Sequence, residues 1–274
     1  MPCRTPRCFP ASLPLPARTA LLGLALLGGG GAARAQTPPP ATSIQDRLIA
    51  AFQRDQMALQ QYVHREHVIT IKDGARDART LRVWYVEGRE VEETIALDNR
   101  LLSPGELAAE HQRALQRARD AAARPPSPAG MLRFQGHAYP FARLANDYIY
   151  GDATTRTIGG RTIWVYQARP NPNAHPQSRE EKLLLHTQGE VWVDAGDMHV
   201  VRIAVHTMGN VRYALGLVAV IHQANLELQL QRQKPDVWLP AKAGFSLRAT
   251  ILLVDTITRS KEQTYFDYQP DSAR

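Results

Sequence analysis

Large apolar residues near the start of the chain recur at the spacing of one helix face. These residues are Ile44, Leu48, Phe52, Leu59 and Tyr62. The spacing predicts a helix from about 43 to 61 that packs one face against a sheet. Ser43 is a suitable N-cap residue, and Asp46 in the first turn would interact favourably with the helix dipole.

From Tyr62 onward the apolar positions alternate, which is the period of a strand. The segments 68–72, 80–87 and 91–97 are rich in β-branched and aromatic residues. Asp73-Gly74 and Gly88 separate them and are typical hairpin turns. This region is therefore predicted to form an antiparallel meander.

A second helix is predicted from 103 to 123. Ser103 can cap it, Pro104 takes the first helical position and Glu106 stands three residues after the cap. Arg124-Pro125-Pro126 ends the helix. Few large apolar residues occur along it, so we expect it to lie on the surface or to span an opening.

The second half of the chain repeats the strand pattern. Leu226, Leu228 and Leu230 alternate with polar residues, which predicts a half-buried strand. Further strands are predicted at 148–150, 152–158, 162–168, 190–193, 198–206, 237–240, 243–251 and 264–268, with a short helix around 178–185. About ten strands and two or three helices indicate an α+β fold, an open and strongly curved antiparallel sheet with helices on its concave side.

The nearly apolar segment Val211–Ile221 is too short to span a bilayer and is interrupted by Arg212 and Gly216. We expect it to form a buried strand or an apolar loop.

The N-terminus has the three parts of a cleavable secretory signal. Arginines without acidic residues precede an apolar stretch from Ala20 to Leu27, and Ala33-Arg34-Ala35 fits a signal-peptidase site. Residues 1–35 are thus predicted to be removed before Gln36, with export to the periplasm; a retained anchor is the alternative. Residues 36–42 are predicted to be a disordered spacer, and 43–270 a single domain.

Removal of the signal changes the composition of the working protein. Four arginines leave with it, so the formal charge falls from +7 to +3. Cys3 and Cys8 leave as well, which excludes disulfide and thiol chemistry in the mature chain. Both cysteines precede the apolar stretch, so a lipid anchor is also disfavoured. No run of Lys and Arg remains, so we expect no nucleic-acid partner.

Candidate catalytic and metal-binding residues do not form a recognisable pattern. His64 and His67 lie three apart on a predicted strand, so their imidazoles would point to opposite faces of a solvated strand edge. His199 and His206 are likewise expected on opposite faces. The adjacent acids Glu92-Glu93 and Glu180-Glu181 are expected on a charged surface, and no G-x-S-x-G elbow occurs. We therefore expect no catalytic residues, no metal and no cofactor.

Two hairpins resemble those of the outer-membrane lipoprotein carrier (LolA/LolB-like) superfamily. They are Gly189-Glu190-Val191-Trp192-Val193-Asp194 followed by Val200-Val201-Arg202-Ile203, and Asp236-Val237-Trp238-Leu239-Pro240. The opening helix and meander and the late strand Tyr265–Tyr268 agree with this resemblance, which covers about 43–270. It implies an incomplete β-barrel around an apolar cavity closed by helices, and binding of acyl chains or lipids without catalysis. The 103–123 helix is longer than its counterpart in that family.

The strand aromatics and leucines are the candidate ligand-lining residues. Trp164 and Tyr166 share one strand face, and so do Leu226, Leu228 and Leu230. In a sandwich such residues would be core, whereas in a half-barrel they would line the cavity. Trp192 and Trp238 belong to the motif hairpins and are interpreted as structural.

Two functional hypotheses remain. One is a periplasmic monomer that binds or carries a lipid, an acyl chain or a lipoprotein, with peripheral contact to the envelope. The other is an envelope protein–protein interaction module without a small ligand, which would use sheet edges and the 103–123 helix.

Overall fold

The computed structural model describes residues 37–124, 131–134, 137–177, 179–213, 219–252 and 254–271. The predicted signal peptide, residues 1–35, lies outside them. The four helices are α1 (Ala41–Leu59), α2 (Pro104–Ala122), α3 (Phe141–Asn146) and α4 (Arg179–Leu184). No helix in these ranges combines the length and apolarity needed to cross a bilayer.

Fifteen strands are present in the described ranges. In chain order they are β1 (Tyr62–Lys72), β2 (Ala75–Val86), β3 (Arg89–Leu97), β4 (Arg100–Leu101), β5 (Met131–Phe134), β6 (His137–Pro140), β7 (Tyr148–Tyr150), β8 (Thr154–Ile158), β9 (Arg161–Pro170), β10 (Thr187–Asp194), β11 (Val200–Thr207), β12 (Val211–Tyr213), β13 (Ala219–Lys234), β14 (Val237–Ile251) and β15 (Asp255–Pro270).

Thirteen of these strands form one antiparallel sheet that does not close. Its main path runs β4-β3-β2-β1-β15-β14-β13-β11-β10-β9-β7, with β12 paired to β13 and β8 to β9. The predicted open, curved antiparallel sheet is therefore confirmed. Chain order departs from spatial order where β1 pairs with β15, which brings Tyr62–Lys72 beside Asp255–Pro270.

The starts of α1 and α2 differ in how well the local sequence predicts them. At α2 the predicted capping box is confirmed: the Ser103 side chain accepts from the Glu106 N–H, and the Glu106 carboxylate accepts from the Ser103 N–H. At α1 the predicted cap is wrong. The helix begins at Ala41, with Pro40 at the N-cap position and no side-chain cap, so Ser43 lies inside the helix. It therefore starts within the segment predicted as a spacer.

The largest core lies between α1 and one face of the sheet. Ile44, Leu48 and Phe52 of α1 are buried in the same cluster as Trp164 and Tyr166 of β9. The Phe52 and Phe141 rings stack with centroids 4.1 Å apart, which joins α3 to this core. The predicted amphipathic face of the first helix is thus confirmed. We call the side of the sheet that α1 covers the inner face.

Helix α2 packs on the opposite side of the sheet, against β2 and β3. His111 of α2 contacts Glu93, which lies opposite Arg82 and so points away from the inner face. The structure therefore places this helix on the surface rather than across an opening, and only α1 of the two long helices covers the inner face. The apolar contact of α2 with the sheet is small, since the buried residues of α2 are Glu110, Ala114 and Ala121.

The sequence prediction missed some elements, including α3, and placed others only partly. The hairpin of β5 and β6 forms a separate two-stranded sheet that was not predicted. The apolar segment from Val211 to Ile221 begins with β12 and ends in β13, which pair with each other. Residues 214–218 between them lie outside the described ranges.

Candidate functional site

The inner face carries an apolar stripe that crosses five neighbouring strands. Tyr166 lies opposite Val191, Val191 opposite Ile203, Ile203 opposite Leu228, and Leu228 opposite Ala243. Directly opposed residues of antiparallel strands point to the same side of the sheet. Since Tyr166 packs under α1, the whole stripe belongs to the inner face.

One end of this stripe is covered by α1. Trp164 and Tyr166 are 3% and 0% exposed, and the Tyr166 hydroxyl donates to the Pro39 carbonyl at 3.2 Å. Burial raises the pKa of Tyr166 to about 12. The Trp164 indole N–H has no partner in the described part of the chain. A ligand would reach these two predicted lining residues only if α1 moved.

The other end of the stripe extends beyond α1. Leu226 and Leu228 are half-buried, and Leu226 lies opposite Phe245, which is also half-buried. Leu230 packs against the edge of the core under α1. All five predicted lining residues therefore share the inner face, but only Leu226 and Leu228 lie outside the helix-covered core. Their role as ligand contacts stays a prediction.

A buried polar cluster continues the inner face beyond the apolar stripe. His64 and Glu66 are 1% and 3% exposed, and their side chains meet at 3.1 Å between Nε2 and Oε1. The second Glu66 oxygen accepts from the Gln263 amide at 2.9 Å. Gln263 lies opposite Ala243, so the cluster adjoins the apolar stripe directly.

Three tyrosines surround the His64 imidazole. Its ring centroid lies 5.0 Å from that of Tyr268, 5.9 Å from Tyr265 and 6.4 Å from Tyr85. Burial, and then the negative charges of Glu66 and Glu90, raise the pKa of Tyr265 well above its ordinary value. The pKa of Tyr85 is raised for the same reasons. Both phenols thus stay protonated at neutral pH.

The position of His64 corrects the sequence interpretation. Strand β1 lies between β2 and β15, so residues 64–67 are not on a solvated strand edge. His64 and His67 do point to opposite faces, and His67 lies 3.3 Å from the Thr80 hydroxyl on the outer side. Tyr62, His64 and Glu66 are two positions apart along β1, and this spacing could have shown from the sequence that they share one face of the strand.

A second buried pair joins α1 to the sheet. His199 and Asp55 are 1% and 5% exposed, and the His199 Nδ1 lies 2.9 Å from a carboxylate oxygen of Asp55. His199 precedes β11 rather than forming part of the strand, while His206 is exposed within it. Sequence reasoning missed this pair, because 144 positions separate its members.

The motif hairpins are joined by an ion-pair network. Asp194 is 1% exposed and accepts hydrogen bonds from Arg161 and from the backbone N–H groups of Gly196 and Asp197. Asp197 in turn contacts Arg161 and Arg232 at 3.0 Å each and accepts from the Trp238 indole at 3.2 Å. The network fixes one motif hairpin to the other.

The tryptophans of these motifs contact charged side chains. The Trp192 ring is flanked by Arg156 and Arg202 at 5.0 and 5.1 Å, and its N–H donates to Glu190 at 2.9 Å. Trp238 is buried beside Arg161. These contacts support the structural interpretation of both tryptophans.

Two acidic residues expected on a charged surface are buried. Glu93 is 4% exposed and contacts His111 at 2.8 Å, and Glu181 is 5% exposed and contacts Arg143 at 2.7 Å. The prediction was wrong because Glu93 is covered by α2, and Glu181 packs beside α3. Glu92 and Glu93 are neighbours in strand β3 and point to opposite sides, so one of them can be covered.

Two surface cavities of the described residues lie away from the stripe. One, of about 330 Å³, lies at the β9–β10–β11 region and is lined by Gln167, Ala168, Arg169, Gln188, Gly189, Glu190, Ala204 and His206. Another, of about 440 Å³, lies where α2 meets the sheet and is lined by Arg79, Thr94, Leu97, Leu102, Glu106, Ala109, Glu110 and Arg113. Neither contains a predicted lining residue.

The inner face combines the apolar stripe with the buried His64–Glu66 pair. In the described ranges, no group of three His, Cys, Asp or Glu side chains converges as a metal site. Within the same ranges, no serine, threonine or cysteine is hydrogen-bonded to His64, so its pair with Glu66 lacks the nucleophile of a covalent catalyst.

Comparison with known proteins gives structural likeness only. No family model and no curated protein matches the chain. Among solved structures, a LolA superfamily protein from Nitrosomonas europaea is 10% identical, with 86% of this chain and 95% of that one covered at a TM-score of 0.33. A DUF1329 family protein from Desulfovibrio piger is 12% identical, with the same coverage and a TM-score of 0.36.

A third match is a putative outer membrane lipoprotein-sorting protein domain from Vibrio parahaemolyticus. It is 11% identical, with 84% of this chain and 94% of that one covered at a TM-score of 0.34. The similar solved structures thus include a member of the superfamily that the hairpin motifs resemble, at low identity and low TM-score.

Proposed function

We propose that the protein is exported to the periplasm, where it binds or carries a lipid-like or acylated hydrophobic ligand without covalent chemistry. The observation that carries this proposal is the apolar stripe of the inner face. Beyond α1 its residues are half-buried, so they are not fully enclosed by the protein's own core. Export is supported by the N-terminal sequence pattern.

The physical basis of binding is removal of apolar surface from water. Each methylene that a ligand buries contributes about 0.8 kcal/mol, before the cost of association is subtracted. Opposed pairs such as Leu226 and Phe245 form a continuous apolar surface on which an acyl chain could lie. No polar anchor is required for such binding.

The test is binding of a neutral acyl ligand to delipidated protein. We expect methyl dodecanoate to bind and raise the melting temperature, and Leu228→Asn to weaken binding about tenfold, because a polar amide would replace apolar contact. Leu101→Asn is the matched control, since Leu101 is 74% exposed on the edge strand β4. If neither methyl dodecanoate nor any phospholipid bound, the proposal would be wrong.

The alternative, a protein–protein interaction module, is favoured by one surface. Leu101 of edge strand β4 is 74% exposed, and Leu107 of helix α2 is 38% exposed. A partner adding to this edge would cover both residues. Under this alternative, the Leu101→Asn variant would lose a co-purifying envelope protein, while the Leu228→Asn variant would retain it.

A further inference from the structure

The polar cluster around His64 contains a buried nitrogen that the protein leaves without a hydrogen bond. The Nδ1 atom of His64 has no partner in the described part of the chain, although the side chain is fully buried. Burying a polar atom without a partner costs about 1–3 kcal/mol. Such an atom in a folded protein needs an explanation, and a ligand or a water molecule supplies one.

The chemistry of this nitrogen follows from its neighbour. An ionised Glu66 carboxylate can only accept, so the contact at 3.1 Å requires a hydrogen on the His64 Nε2. In the neutral imidazole the Nδ1 atom then carries the lone pair. It would accept a hydrogen bond from an N–H or O–H group of a ligand.

The surroundings disfavour an anionic ligand group. Glu66 lies two residues away on the same face, and Glu90 is close enough to interact with the Tyr85 hydroxyl at 3.4 Å. Both carboxylates raise the pKa of Tyr265, which reports a negative potential at that phenol. Tyr85 already donates to Glu90, whereas Tyr265 stays protonated, so the Tyr265 hydroxyl is the donor available to a carbonyl oxygen.

The cluster adjoins the apolar stripe. Glu66 lies opposite Tyr265, Gln263 opposite Ala243, and Ala243 opposite Leu228. Neighbouring strands are about 4.8 Å apart, so the distance from β1 to β13 is roughly 14 Å. A single amphiphile of about ten to twelve carbons can span it.

We propose that the cluster of His64, Glu66 and Tyr265 binds the polar head of an amphiphile whose head is uncharged or cationic and carries an N–H or O–H group. Its acyl chain lies along Leu228 and the apolar stripe. This inference rests on the proposed function and adds selectivity for the head group. The ligand class is therefore a fatty amide or a fatty alcohol rather than a fatty acid.

The experiment compares three ligands with the same acyl chain. N-dodecanoylethanolamine offers N–H and O–H donors, methyl dodecanoate only accepts, and dodecanoate is anionic. We expect the ethanolamide to bind at least tenfold more tightly than the other two, measured by calorimetry with delipidated protein. In His64→Phe this preference should vanish, because the affinity for the ethanolamide falls to that of the same variant for methyl dodecanoate.

The control variant is His67→Phe, which makes the same substitution on the same strand but on the outer face. It should keep the preference of the wild type. Equal affinities for the three ligands would overturn the head-group site and leave the proposed function standing. Failure of all three to bind would contradict the proposed function itself.

A second measurement covers the case in which His64→Phe does not fold. The imidazole ¹⁵N resonances of the wild-type protein report which ring nitrogen is protonated. We expect the His64 Nδ1 resonance to shift when the ethanolamide binds and not when methyl dodecanoate binds. An Nδ1 resonance that stays unchanged, as expected for a nitrogen satisfied by a permanent buried water, would overturn the proposal.

Discussion

Replacing Asp194 by asparagine tests whether the motif hairpins hold the fold together. The Asp194 carboxylate is buried and accepts from the Arg161 guanidinium at two atoms, one of them at 2.7 Å. It also accepts from the N–H groups of Gly196 and Asp197 at 2.9 and 3.0 Å. Asparagine has nearly the same shape, but one of its two polar atoms is a donor.

The magnitude follows from these four contacts. The amide NH₂ of asparagine would take the place of Oδ2, which accepts from the Arg161 Nε, or of Oδ1, which accepts from Arg161 and from both backbone N–H groups, so at least one hydrogen bond from Arg161 is lost. A hydrogen bond to a charged group contributes about 1.5–3 kcal/mol, and removing one partner of a buried ion pair costs about 3–5 kcal/mol. We therefore expect Asp194→Asn to lower the free energy of unfolding by about 3–5 kcal/mol at pH 7.

The assay is urea denaturation followed by tryptophan fluorescence at several pH values. Burial opposes ionisation of Asp194, but the hydrogen bonds from Arg161, Asp197 and Gly196 prevail and lower its pKa. A lowered pKa gives stability that is present above the unfolded value, near 3.9, and is lost as the pH falls through the folded value. The difference between wild type and variant should shrink in acid.

The control is Asp267→Asn, which removes an ion pair to Arg65 whose two side chains are both about half exposed. It should cost at most about 1 kcal/mol. The reasoning is refuted if Asp194→Asn costs less than 1 kcal/mol at pH 7, or if its cost does not diminish in acid. Ligand affinity of the folded Asp194→Asn protein should equal that of wild type.

Three further predictions concern stability. Gly189→Ala should cost more than about 3 kcal/mol by thermal denaturation, because a Cβ there would overlap the Ala204 carbonyl oxygen; an unchanged melting temperature would contradict the register. Burial raises the pKa of Tyr148 to about 12, so stability should fall between pH 10 and 12. Tyr148→Phe should reduce that loss by roughly 2–3 kcal/mol in urea titrations, and an identical alkaline profile would count against it. Leu252 is 63% exposed at φ 50°, so Leu252→Gly should raise the unfolding free energy by about 1 kcal/mol, whereas destabilisation would show that its side chain is needed.

Local signals in the sequence determined the elements with short-range causes. The α2 start follows from Ser103 and Glu106, whose mutual hydrogen bonds form within four residues. The turn at Asp73-Gly74 follows from two residues with positive φ, 49° and 87°. The alternation of Leu226, Leu228 and Leu230 placed them on one face correctly, because strand side chains alternate whatever the strand packs against.

Only the tertiary structure decided what covers each face. Helix α1 buries Trp164 and Tyr166, while Leu228 on the same face stays half-exposed. The alternation of apolar and polar residues along a strand could not show this difference, because one helix covers only part of a face that runs across many strands. The burial of Glu93 depends likewise on α2, whose contacting residue His111 lies 18 residues later in the chain.

The candidate site itself shows the same division. Sequence pattern alone determined that the chain forms an antiparallel sheet with an apolar face and a leading amphipathic helix. The pairing of β1 with β15 brings Glu66 beside Gln263 and Tyr265, across nearly 200 residues. Such pairing depends on long-range packing, because the same alternating strands could pair in several orders with equal local preference.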